Sequence, residues 1–328
     1  METSLSRSYS DRVFSVTVPA KTARKLGKFS ILPWHGVLGL ALIVVAWPVS
    51  WLHISTFSQH SFFPLWLGYI LAVDAIVLRR TGTSSLTRSP RAFAAMFLIS
   101  MPMWWVFEGI NYFTHNWHYL GAENYSPIRY FLVASWHFSI VAPAVFETAE
   151  LIVSTDLVQR FKRGPQLPRH HWVLIVSMAI GIVMLPALIV WPHFAFPATW
   201  LSIFLILDPI NYYRGWPSIV GRIGNGDWRS VVAFGVGALI CGLFWEMWNY
   251  WAFPKWYYTI PFGEYAHVFE MPLLGYGGYI PFGLEVFAMY HFLSGFLGPR
   301  RSVLVMDQRS EEQGSISRRI ETKTEIAM

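Results

Sequence analysis

The chain is poor in charge and nearly devoid of cysteine. Only 13% of its 328 residues are charged, about half the usual share in a soluble domain. That leaves too little polar material to cover a water-exposed surface, and it excludes an ordinary soluble globule. The single cysteine, Cys241, excludes a disulfide framework and a thiolate metal centre. No Walker loop, GxGxxG unit, HExxH, GxSxG or catalytic-cysteine constellation occurs, so common nucleotide, zinc-protease and nucleophile chemistries have no signature. The HxxxH and HxxHH boxes of diiron desaturases are missing too.

What is present is apolar. Hydrophobic residues make up 54% of the chain, and the mean hydropathy is +0.39. Its 17 Trp and 15 Tyr suit rings seated at a membrane–water boundary. These features predict an all-α polytopic membrane bundle. Eight stretches approach the ~20 residues that cross a bilayer: 31–53, 61–78, 92–113, 128–154, 172–191, 197–212, 230–252 and 276–298. Unbroken apolar runs favour helices over barrel strands. The sixth is short and carries Asp208-Pro209, which predicts a kink or partial re-entry. The first is too long for a signal-peptide core and has no small-residue cleavage site, so it reads as a retained span.

Basic residues alternate with these spans. Lys21, Arg24, Lys25 and Lys28 precede the first; Arg79, Arg80 and Arg88 follow the second. Arg160, Lys162, Arg163 and Arg169 follow the fourth; Arg214, Arg222 and Arg229 follow the sixth; Arg300 and Arg301 follow the last. The alternate loops hold only Lys255, with Arg129 at the edge of the fourth span. The positive-inside rule then puts both termini in the cytoplasm, with a bacterial inner membrane as the default location. The net charge of +6 is topogenic and predicts no nucleic-acid partner. Membrane lipids are the expected surroundings, with a hydrophobic small molecule or an ion as ligand. The oligomeric state is not encoded in any recognisable motif.

Motifs recur in order along the chain. Ala41–Val44 before Trp47-Pro48 matches Ala187–Val190 before Trp191-Pro192. Pro64, Trp66-Leu67 and Asp74 match Pro197, Trp200-Leu201 and Asp208. Phe107-Glu108 and Asn111-Tyr112 match Trp245-Glu246 and Asn249-Tyr250; Trp117 and Tyr119 match Trp256 and Tyr258; Pro143 and Glu147 match Pro281 and Glu285. An ordered series of this kind predicts two parallel four-helix repeats, 31–154 and 172–298, joined by a basic linker 155–171. Polar tails at 1–30 and 299–328 flank them, the second expected to be disordered.

Four polar positions occur in both copies: Asp74/Asp208, Glu108/Glu246, Asn111/Asn249 and Glu147/Glu285. Ionisable groups within a span cost about 2.5–3.5 kcal/mol on insertion scales, so they usually face a cavity or a partner. Glu and Asn three apart share a helix face, and with Glu147 or Glu285 each half is expected to assemble a Glu/Asn/Glu cluster. Counting from Arg91 and Arg160 puts Glu108 roughly 25 Å and Glu147 roughly 20 Å from the inner boundary, a layer separate from the aspartates. Such clusters are either interhelical hydrogen-bond glue or proton donors and relays. Asp74 and Asp208 have nearby arginines as a simpler explanation. Oxygen-rich sets also suit a divalent cation, but no ligand spacing assigns metal ligands, and no cofactor is evident. Trp245 and Trp248 flank Glu246 and Asn249, which makes them interface anchors or an aromatic wall for a substrate. Glu264, His267 and Glu270, at i, i+3 and i+6, occur in the second copy alone and read as a lid or a solvated face.

Phe269-Glu270-Met271-Pro272-Leu273-Leu274-Gly275-Tyr276, followed by Gly278-Tyr279-Ile280-Pro281-Phe282 and Leu284-Glu285, resembles a block in uncharacterised bacterial multi-pass membrane proteins. No activity comes with that block. The order of an Asp late in one helix, a W-x-Y after another and a Pro followed by an acid resembles the duplicated helical carotenoid (lycopene) cyclase domains. Asp208, Trp256/Tyr258 and Pro281/Glu285 fit it, as do Asp74, Trp117/Tyr119 and Pro143/Glu147. The cyclases carry adjacent acids just after the Pro, whereas here one Glu stands four residues later. The resemblance implies an enzyme acting on an isoprenoid or other lipid, and the intramembrane glutamates Glu108, Glu147, Glu246 and Glu285 are then the expected acid/base groups. A proton- or cation-coupled transporter and a structural subunit are the alternatives.

Overall fold

The computed structural model describes residues 32–123, 125–261 and 265–297. Both tails and Glu264 lie outside the described residues. Helices α1 (Trp34–Trp51), α2 (Phe62–Thr81), one-turn α3 (Ser85–Arg88) and α4 (Pro90–Thr114) lead into strand β1 (Trp117–Leu120). Helices α5 (Pro127–Phe138), α6 (Val141–Val153) and one-turn α7 (Asp156–Gln159) follow. Then come α8 (His171–Val190), α9 (Pro192–Ala195), α10 (Ser202–Tyr213), α11 (Ile219–Ile223) and α12 (Arg229–Tyr250), and strand β2 (Lys255–Tyr258). Strands β3 (His267–Val268) and β4 (Met271–Pro272) precede α13 (Tyr279–Gly295).

Among the described residues, seven helical segments are long and apolar enough to cross a membrane: 34–51, 62–81, 90–114, 127–153, 171–190, 192–213 and 229–250. They are compatible with a multi-pass integral membrane protein. The expected eighth span is the 17-residue α13, which is too short to join that set. Two other expected spans are broken helices. Pro143 lacks the N–H that would bond Ser139, and the chain steps from α5 to α6 there. Ser100 of α4 fills the gap: its Oγ donates to Phe138 O (2.6 Å) and accepts from Ala142 N (3.0 Å). The sixth span breaks before Ser202, through α9 and a 3₁₀ turn at Phe196–Trp200, rather than at Pro209, which lies inside α10.

Small residues set the helix spacing, as membrane helices require. A Cβ on Gly39 of α1 would lie 2.5 Å from Gly68 O of α2, and one on Gly181 of α8 would lie 2.6 Å from Ser202 O of α10. Gly283 is tighter still, with Phe234 O of α12 at 2.1 Å from its would-be Cβ. Helices α2, α6, α12 and α13 supply most of the buried core, including Trp66, Ile70, Phe146, Phe234 and Phe287. Helices α1 and α8 turn Val44, Val45, Ile182 and Val183 outward, an apolar perimeter fit for lipid rather than water.

The arginine-bearing connections lie at one end of the bundle. Arg80, at the end of α2, bonds Ser154 just beyond α6 (2.7 Å to Oγ), and Arg229 opens α12. Helices α4 and α12 then run to the opposite end and deliver β1 and β2. These strands, expected to be loops, pair antiparallel across the two halves of the chain: Trp117 opposite Tyr258, His118 opposite Tyr257, Tyr119 opposite Trp256.

Candidate functional site

Strand alternation decides which side chains of this ribbon face the bundle. Trp117, Tyr119, Trp256 and Tyr258 share the inner face, while His118 and Tyr257 stack on each other outside (ring centroids 5.0 Å). Asn111 and Asn249 hold the strands in place. Asn111 Nδ2 donates to Trp117 O (2.8 Å), and its Oδ1 accepts from the N–H groups of Trp117 (3.1 Å) and Asn116 (2.8 Å). Asn249 Nδ2 donates to Trp256 O (2.7 Å), and its Oδ1 accepts from Trp256 N (2.9 Å). Each carboxamide therefore acts as a one-residue strand partner for the tryptophan backbone. Neither asparagine orients a carboxyl group.

The glutamates three residues earlier receive the tyrosines. Oε1 of Glu108 accepts from Tyr119 OH (2.6 Å), Trp104 Nε1 (2.9 Å) and Trp117 Nε1 (3.1 Å). Oε1 of Glu246 accepts from Tyr258 OH (2.7 Å) and Tyr279 OH (2.7 Å), and Trp256 Nε1 donates to the Tyr258 oxygen (2.9 Å). The other Glu246 oxygen is buried without a hydrogen-bond partner. Geometry explains the difference in donors. Four residues before Glu108 stands Trp104; four residues before Glu246 stands Gly242, whose missing Cβ leaves room for the Tyr279 ring (2.4 Å from the would-be Cβ). Burial, and then the carboxylate next to each ring, holds the Tyr119 and Tyr258 phenols well above the ordinary 10. Both stay neutral hydrogen-bond donors at physiological pH.

Beneath the ribbon these rings enclose a cavity of about 180 Å³. Trp104, Trp200, Trp245, Trp248 and Phe282 line it together with the ribbon rings and Tyr279. Neither glutamate lines it directly; the phenols of Tyr119, Tyr258 and Tyr279 stand between carboxyl and cavity. Trp66 packs against both Trp245 and Trp248 at 5.0 Å between centroids, which fixes that wall. Lys255 reaches the rim, paired with Glu270 and bonded to Tyr250 O (3.1 Å).

The remaining expected site residues lie elsewhere. Glu285 does not join Glu246 and Asn249: its Oε1 accepts from the N–H groups of Ile203 (3.0 Å) and Phe204 (3.3 Å) and caps the broken start of α10. Asp208 caps α11 through Ile219 N (2.7 Å) and Val220 N (2.8 Å), and Asp74 accepts from Leu86 N (3.0 Å) in α3. Asp74 also faces His35 Nε2 at 3.1 Å, a partner in place of the arginines expected nearby. Glu147 faces Asp74 and Glu150 rather than Glu108 and Asn111. Helix α6 ends at Val153, so Glu147 and Arg160 are not joined by one straight helix. From Glu147 to that end is roughly 9 Å. His267 is exposed on β3, in a hairpin with β4, and Glu270 pairs with Lys255, while Glu264 lies outside the described residues.

Sequence reasoning singled out Trp245, Trp248, Glu108 and Glu246 but not the ring hydroxyls. The signal was present: W-x-Y occurs once after each Glu-x-x-Asn. Tyr279 had no counterpart to flag it, since Val141 holds the matching place before Pro143. Among the described residues, no group of three or more His, Cys, Asp or Glu is arranged to hold a metal ion. No protein-family model matches the chain, and no curated protein or solved structure is significantly similar to it.

Proposed function

We propose that this protein is an integral-membrane enzyme that protonates and deprotonates an unsaturated, isoprenoid-type lipid in the aromatic cavity. The observation that carries the reading is the pair of carboxyl–tyrosine clusters behind one aromatic wall. A dry cavity of about 150 Å³ takes a benzene ring, so this one suits the ring-sized end of a longer lipid whose remainder stays in the bilayer. Tryptophan and tyrosine faces stabilise positive charge, which fits a carbocation rather than an anion.

In this scheme Glu246 is the acid. Its unpartnered oxygen has room for a proton, and Tyr258 and Tyr279 connect it to the cavity. The proton adds to one alkene carbon, forming a C–H bond and leaving a cation on its neighbour. Loss of a proton from an adjacent carbon restores a double bond, so the net change is an isomerisation. A cyclisation results if a second alkene attacks the cation first. Glu108, with three donors converging on one oxygen, is the base that receives the departing proton. We further propose that the chain is a duplicated four-helix unit. Its recurring motifs and the two like-built Glu/Asn/W-x-Y assemblies support this, and the limited resemblance to carotenoid cyclases supports the substrate class.

Mass spectrometry of small molecules co-purifying with the protein, wild type beside Glu246→Gln, tests the reading. The expected result is an enriched unsaturated lipid whose double-bond pattern differs between the two preparations. Bulk phospholipid alone in both would instead favour transport or a structural role.

A further inference from the structure

A second buried polar site lies toward the arginine-bearing end of the bundle, apart from the ribbon and its cavity. Glu147 of α6 is fully buried, and neither of its carboxyl oxygens has a hydrogen-bond partner. Asp74 of α2 and Glu150, one turn along α6, face it, with Arg88 and Ser85 of α3 beside them. Those neighbours have their own pairings. Glu150 Oε2 accepts from Arg88 Nη2 (2.6 Å) and Ser85 Oγ (2.8 Å). Asp74 pairs with His35 and with the Leu86 N–H. Helix α12 contributes Cys241, bonded to Thr148 (3.3 Å), which also meets Tyr69 of α2 (2.8 Å); α13 contributes Tyr290 and His291 against Phe146. The nearest cation to Glu147, Arg88, makes its ion pair with Glu150 instead.

Among the described residues, three carboxyl groups thus share two cations, Arg88 and His35, each engaged with an acid other than Glu147. An unpaired carboxylate buried from water carries a desolvation cost of several kcal/mol, which a bound proton removes. We propose that Glu147 is a proton-binding site, loaded from the arginine-bearing end and tuned by Glu150 and Asp74. Among the described residues, the matching position in the second half is built differently. In the second half, Glu285 has two backbone donors, and Ala288 stands three residues on, where Glu150 follows Glu147. The site is independent of the lipid chemistry proposed above, because Glu147 touches neither carboxyl–tyrosine cluster.

Infrared titration of the full-length protein in lipid nanodiscs tests this. A protonated-carboxyl C=O band that falls as pH rises, and whose titrating component is lost in Glu147→Gln, is expected. In the wild type, dicyclohexylcarbodiimide, which attacks protonated carboxyls in apolar surroundings, is expected to modify Glu147; peptide mapping reads this without any variant. In Glu150→Gln the band should disappear at lower pH, since the neighbouring negative charge that opposes Glu147 ionisation is gone and Arg88 is released from its pair. The proposal is overturned if the titrating band survives Glu147→Gln unchanged. It is equally overturned if sodium ions at fixed pH abolish the band, which would make the site a cation site.

Discussion

Replacing Asn249 by alanine removes both hydrogen bonds that pin Trp256, and with them the register of β2 against β1. A net intramolecular hydrogen bond contributes about 0.5–1.5 kcal/mol, so the loss is about 1–3 kcal/mol, and more if the freed Trp256 groups find no water. For a chain of this size that lowers the melting temperature by about 2–4 °C per kcal/mol. Asn111→Ala removes three bonds and should cost more than Asn249→Ala. Asn249→Asp keeps an acceptor for Trp256 N and loses the donor to Trp256 O, so it should fall between wild type and alanine. The assay is built into the protein. Cys241 is its one cysteine and is buried, so a thiol-reactive fluorogenic maleimide reports unfolding directly. Equal melting temperatures for wild type, Asn111→Ala and Asn249→Ala would refute the strand-anchor role of the carboxamides.

Glu285→Ala should destabilise α10 by about 0.5–2 kcal/mol as a lost helix cap, while Glu285→Gln, which keeps an acceptor, should cost little; the same melting assay separates them. Gly242→Ala should push the Tyr279 ring off Glu246, and proteolysis-resistant, well-folded protein with altered co-purifying lipid is the expected outcome. At alkaline pH the sign follows from Tyr119 and Tyr258. Their phenols ionise more readily in the unfolded chain than in the fold, so the stability they contribute is complete below about pH 10 and is lost above it, by up to about 1.4 kcal/mol per group per pH unit. Melting curves from pH 9 upward should show that decline, and Tyr119→Phe/Tyr258→Phe should blunt it.

The spans were legible because hydropathy needs only composition over ~20 residues, and seven of the eight are present at matching positions. The breaks were less so. Pro143 interrupts its helix for want of an N–H, and the group that bridges the gap, Ser100, stands 43 positions earlier. Glu-x-x-Asn was recognisable as one helix face, yet what each side chain holds was not, since their partners come from a ribbon formed between distant segments. Glu285 and Glu147 occupy matching motifs and do different work: one meets free N–H groups at a helix start, the other meets acids. Spacing along a chain reports which face a residue shares, and the partner across that face comes from tertiary packing.

The most direct test of the proposed chemistry is isotope uptake. Protein in nanodiscs, supplied with unsaturated lipid extract in heavy water, is followed by mass spectrometry of lipid carbon-bound deuterium. Proton addition to a double bond and loss from a neighbouring carbon predict non-exchangeable deuterium in one lipid class with wild type and a drop of at least ~100-fold, the usual scale for a lost general acid, with Glu246→Gln. Deuterium uptake that is absent with wild type, or undiminished in Glu246→Gln, would contradict the account.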